Sequence, residues 1–193
     1  MSNKETKNQI LAVASQLFGN YGYYRTSITS IARKSYKTKG SVYYHFKTKE
    51  LLFMAVLANE ITPIKITLLQ VVDDDKIHAE DKMNFLLKHR IYLLREARNY
   101  NETLRVCNYN QYEFLKDFQI EWDGWMKDQM KKIINQGVDE GVFRVKQSAS
   151  LLDSFSLLLN GFEISLFCQT QCKNVNPYVD TISRSLIINL KKT

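Results

Sequence analysis

Nine consecutive residues, Thr38-Lys39-Gly40-Ser41-Val42-Tyr43-Tyr44-His45-Phe46, form one short segment rich in hydrogen-bonding and aromatic side chains. At helical spacing Val42 and Phe46 fall four apart and point inward, which leaves Lys39, Ser41, Tyr43, Tyr44 and His45 facing outward. That outward set offers donors, a cation and planar rings without a single carboxylate. Such a surface suits phosphates and base edges, from which acids would be repelled. Gly40 has no side chain, so the backbone there can approach its partner closely. One of Tyr43 and Tyr44 could instead pack half-buried, and His45 has no second histidine nearby with which to hold a metal.

The charge points the same way. The 193 residues carry a net +7, and residues 1–50 hold nine lysines and arginines against Glu5 and Glu50 alone. The remaining residues are balanced, so the whole surplus sits in the first quarter of the chain. A basic head beside a neutral body is the footprint of a polyanion-binding module. Charge by itself does not separate DNA from RNA or an anionic membrane.

The elements that must position the segment are helices. Two prolines and seven glycines give too little punctuation for an all-β fold. Ser2 and Glu5 have the spacing of a capping box, followed by Ile10, Ala14, Leu17, Phe18 and Tyr21 at helical period, with a stop at Gly19–Gly22. A second short helix starts after Thr26 or Ser27, carrying Ile28, Ile31 and Ala32 on one face, and Thr38 caps the third. Three short helices, the last two about three residues apart, follow the helix-turn-helix plan, in which the later helix enters the major groove. Thr48 caps a fourth helix that Pro63 is expected to end or kink. Further amphipathic helices run through Met83–Leu94, about Asn101–Leu115, Trp122–Val138 and Val179–Leu190. Residues 148–171 are apolar nearly all round, as in a helix buried on more than one side.

Residues Ile10 to Leu52 resemble the TetR family of bacterial regulators. The likeness is carried by Ala14-x-x-Leu17-Phe18, Gly22-Tyr23, Thr26-Ser27-Ile28-x-x-Ile31-Ala32 and Lys39-Gly40-Ser41-Val42-Tyr43-Tyr44-His45-Phe46-Lys47-x-Lys49-Glu50-x-Leu52. The resemblance implies an all-α fold, with a three-helix helix-turn-helix head at 1–50 and a larger antiparallel helical sensor and dimerisation body at 51–193. It also implies that Lys37, Thr38, Lys39, Gly40, Ser41, Tyr43, Tyr44 and His45 line the groove while Thr26, Ser27 and Lys49 hold phosphates. The family has Gly in the turn where this chain has Tyr36, a departure that costs roughly 1 kcal/mol if the left-handed geometry is kept.

The resemblance further implies a dimer formed by the last two helices. Leu151, Phe155, Leu158, Phe162, Leu166, Ile182, Leu186 and Leu190 are the interface candidates, though a merely buried core helix would look the same. Tyr92, Tyr109, Tyr112, Glu113, Phe118, Trp122, Trp125, Phe162 and Glu163 are candidates for an effector pocket, competing with a plain core role. An acid among aromatics there can select a cation, unless it is paired internally or exposed. The expected function is a repressor released from a palindromic DNA operator by a small hydrophobic or aromatic ligand, acting through the fourth helix.

Other classes lack their signatures. No phosphate-cradling loop, nucleophile elbow or His/Cys metal spacing occurs, so neither enzyme chemistry, a metal nor a cofactor is expected. The most apolar run, Phe155 to Cys168, is interrupted by Asn160, Gly161 and Glu163 and too short to span a bilayer. A basic first helix could lie on lipid, yet lipid would not need the Lys39–Phe46 string. RNA-binding sheet or loop signatures are missing. Three cysteines without a C-x-x-C fit a reduced, cytoplasmic setting.

Overall fold

The computed structural model describes residues 2–105, 113–145, 149–168 and 175–191. The regular elements among them are nine α-helices, with no strand: α1 (Asn3–Tyr21), α2 (Ile28–Lys34), α3 (Lys39–His45), α4 (Lys49–Val72), α5 (Ala79–Glu96), α6 (Arg98–Arg105), α7 (Lys116–Asp139), α8 (Ala149–Cys168) and α9 (Asn176–Lys191). They pack as two units, residues 1–62 with 97–115, and residues 63–96 with 116–193.

In the first unit, helix starts follow local chemistry. Ser2 and Glu5 close a reciprocal capping box, and the hydroxyls of Ser27, Thr38 and Thr48 accept the N–H of Ser30, Ser41 and Leu51. The buried faces of α1, α2 and α3 are Ile10, Ala14, Leu17 and Phe18, then Ile28, Ile31 and Ala32, then Val42. Phe53 of α4 meets Phe18 edge-on at 5.0 Å, and each such buried side chain stabilises the unit by about 1.5–3 kcal/mol.

Pro63 does not end α4, which runs on to Val72. The missing N–H and the ring clash cost about 3 kcal/mol. Burial of Ile61 before the proline and of Ile64 and Leu68 after it outweighs that cost. By length and composition α4 would also suffice to cross a bilayer. Its apolar residues are instead spent on packing, Leu52, Phe53, Val56 and Leu57 in the first unit and Leu68 and Val72 in the second.

In the second unit, α5 buries Met83, Leu86, Leu87, Ile91 and Leu94, and α7 buries Trp122, Met126, Met130, Ile133 and Ile134. Gly137 is required because a Cβ there would fall within the Phe143 ring. Phe155, Leu186 and Leu190, expected at an interface, are buried in this chain's own core, whereas Leu158 is exposed. Its neighbour Leu157, which sequence periodicity did not single out, is 76% exposed. Phe162 and Leu166 are partly buried against Ile91, Val175 and Val179, and Leu151 and Ile182 are of intermediate burial.

Candidate nucleic-acid interface

The geometry of the interface begins at the end of α2. The N–H of Lys37 donates to the Ala32 carbonyl at 2.9 Å and that of Tyr36 to Arg33 at 3.2 Å. Tyr36 sits between them at φ 53°, the left-handed position of a Schellman turn that glycine usually occupies. Its side chain is 90% exposed. Buried Ser35 supports the turn by donating its hydroxyl to the Ile31 carbonyl at 2.8 Å. The tyrosine therefore changes the residue but not the geometry, and α3 starts where the turn aims it.

On α3, Val42 is fully buried and Phe46, just past its end, nearly so. Lys39, Gly40, Tyr43 and Tyr44 are exposed, and Ser41 and His45 partly so. Both tyrosines are thus on the surface, Tyr44 at 66% exposure with its ring edge-on to His45 at 5.1 Å. Lys37 is half-buried, and Thr38 is exposed with its hydroxyl already capping the helix. The result is an outward-facing strip of donors and rings on a helix anchored by two apolar residues.

Two expected phosphate contacts are engaged within the chain in this structure. Thr26 is buried, and its hydroxyl donates to the carbonyls of Gly22 at 2.8 Å and Leu17 at 3.1 Å. It fixes the α1–α2 corner and has no hydrogen left for a phosphate. Lys49 is folded back, with Nζ 4.1 Å from the centre of the Tyr23 ring. Burial lowers its ammonium from the ordinary lysine value against the opposing pull of Glu50. Glu50 in turn is held below the ordinary glutamate value by its own backbone N–H, the Tyr23 hydroxyl at 2.8 Å and Thr48. Ser27 remains exposed at the start of α2, and Lys47 is exposed beside Phe46.

The effector candidates lie elsewhere. In the second unit the Trp122 and Trp125 rings stack at 5.5 Å and 12°, and the Lys65 ammonium lies 5.3 Å from the Trp125 ring. Glu163 is fully buried and ion-paired to Arg90, Oε1 to Nε at 2.7 Å, so this acid is already neutralised. Asn160 accepts from the same guanidinium at 2.8 Å. Sequence reading missed Arg90, since a lone arginine on an amphipathic helix carries no signal. Tyr92, Phe118 and Phe162 are partly buried, and Glu113 is exposed in the first unit. Tyr109 and Tyr112 lie outside the described residues.

A short helix, a Schellman turn and a second short helix with an exposed polar and aromatic face define a DNA-binding helix-turn-helix. Residues 10–56 match the model of bacterial regulatory proteins, tetR family. The HTH-type transcriptional regulator QacR of Staphylococcus aureus is 49% identical over 51 residues, 26% of this chain and 27% of QacR. The transposon Tn10 TetC protein of Escherichia coli is 23% identical over 198 residues, 97% of this chain and 93% of that one. A TetR transcription regulator from Haloarcula marismortui shares the fold with a TM-score of 0.81 at 19% identity, over 98% of this chain and 100% of that one. The matches above 30% identity span between about a fifth and a half of the length of the curated relatives. The family is one of regulators, not of enzymes.

Proposed function

We propose that the chain is a dimeric repressor that reads a palindromic duplex through α3 and leaves it when a small hydrophobic or aromatic effector binds the body. The carrying observation is the exposed strip Lys39, Tyr43 and Tyr44 on a helix pinned by Val42 and Phe46. Duplex selected from a random library by the purified chain should show two-fold symmetric sites, since a two-fold protein imposes its symmetry on its half-sites. Lys39→Ala and Tyr44→Ala should then alter which bases are preferred. Asymmetric single sites, or a uniform loss for both variants, would overturn the reading.

Dimerisation is supported by the exposed Leu157 and Leu158 on α8, leucines that water does not favour. Sedimentation of Leu157→Asp/Leu158→Asp should give a monomer. For the effector, the stacked tryptophans support an apolar or aromatic partner, and the Arg90–Glu163 pair argues against selection of a cation by that acid. The continuity of α4 beyond Pro63 supports that helix as the transmitting element.

A further inference from the structure

The first unit carries a second concentration of positive charge that α3 does not use. Arg25, Arg33 and Lys34 line a cleft of about 470 Å3, with Leu17 and Thr26 buried beneath and Ser30 at the wall. On α2, Ser30, Arg33 and Lys34 follow at i, i+3 and i+4, opposite the core face of Ile28, Ile31 and Ala32. The periodicity that builds the core therefore also gathers these cations on one outward face.

All three cations are exposed, and no ion pair among the described residues involves them. The carboxylates of residues 1–62 are committed elsewhere: Glu5 to the Ser2 capping box, Glu50 to the Tyr23 hydroxyl and Glu60 to the N–H groups of Asn99 and Tyr100. Glu102 lies beside Gly22 and is not among the lining residues. Three cations around one concavity repel each other unless an anion joins them, and guanidinium forks match phosphate oxygens.

We propose that this cleft is a second phosphate-binding surface of the head, taking backbone phosphates of the duplex that α3 does not reach. This rests on the reading of the chain as a duplex binder. A duplex fits better than a small free anion because the cations are exposed at the mouth of an open cleft. The buried hydroxyl at its base, Thr26, is spent on backbone carbonyls. Such contacts add affinity and salt dependence but no sequence information.

The test measures binding of the full chain to a random-sequence duplex between about 50 and 200 mM KCl. The variant Arg25→Gln/Arg33→Gln/Lys34→Gln should shallow the slope of log affinity on log salt by about 2.7, at about 0.9 for each of three phosphates lost. Arg25→Lys/Arg33→Lys, which keeps the charge, should retain the wild-type slope, and the helical circular dichroism of both variants should match wild type. Preference among selected operator bases should be unchanged, unlike that of Lys39→Ala. An unchanged slope in the triple variant overturns the proposal while leaving the duplex-binding reading intact. Thermal stabilisation by inorganic phosphate at constant ionic strength, lost in the triple variant without a change of slope, would assign the cleft to a free phosphate and equally overturn it. A wild-type chain that binds no duplex defeats both readings.

Discussion

The Glu60 carboxylate on α4 accepts the backbone N–H of Asn99 at 3.1 Å and also takes the Asn99 side-chain amide at 2.7 Å. The N–H of Tyr100 joins it at 3.1 Å, so one acid caps the first turn of α6 from another helix. Those N–H groups have no partner within α6, and the positive end of the helix dipole adds to the attraction. The same Asn99 amide reaches the Ser15 hydroxyl on α1 at 3.2 Å, tying three helices through one side chain.

Removing that cap should be costly. Glu60→Ala leaves two backbone donors and one hydrogen of the Asn99 amide without their acceptor, which is expected to lower stability by about 1–3 kcal/mol, read as the urea midpoint. Glu60→Gln keeps one acceptor oxygen and should lose less. A Glu60→Ala midpoint equal to wild type would show that solvent fills the cap.

Tyr36→Gly should stabilise the chain. A non-glycine residue at positive φ costs about 1 kcal/mol or more, and the exposed ring makes few contacts that the substitution would forfeit. Chemical denaturation should show a gain of about that size, and a loss would mean that the ring has a packing role.

The two lysines flanking Thr48 should separate on salt dependence. Lys47→Ala is expected to shallow the duplex-binding slope by about 0.9, as for one lost phosphate. Lys49→Ala should leave it nearly unchanged, because its ammonium lies over Tyr23. Equal shifts for both would place Lys49 on the backbone after all.

Acid should destabilise the second unit through Asp123. Burial pushes this carboxyl up, but Lys127, the Ser156 hydroxyl and Asn160 more than compensate, leaving it below the ordinary aspartate value. The unfolded chain titrates at the ordinary value. The resulting stability is therefore complete above that value and is lost as pH falls through the lower folded one. Denaturation midpoints followed to acid pH should fall less steeply for Asp123→Asn than for wild type, and parallel curves would remove this residue from the acid response.

What the sequence shows well is local. The caps at Ser2, Ser27, Thr38 and Thr48 and the inward pair Val42 and Phe46 depend on residues three or four apart, and periodicity exposes them. What it hides is decided across the chain. The Thr26 hydroxyl is taken by Leu17, nine residues back, and the Glu163 carboxylate by Arg90, 73 residues away. Lys49 lies over Tyr23, which no spacing rule connects to it. Pro63 misleads for a related reason: local rules state its cost, while the burial that offsets it comes from helices elsewhere.

The interleaving of the two units along the chain bears on how it is made. The first unit needs residues 97–115, and the intervening 63–96 belong to the second. At about 5–20 residues per second, the ribosome delivers Ala97 roughly two to seven seconds after Thr62. Through that interval Ser15 and Glu60 stand without Asn99, and closing so long a loop is among the slower steps of folding. A head cut at residue 62 would stay in that unfinished condition permanently. Transplanting the reading helix to another protein thus calls for carrying α6 along with it, a length of chain that its short motif does not advertise.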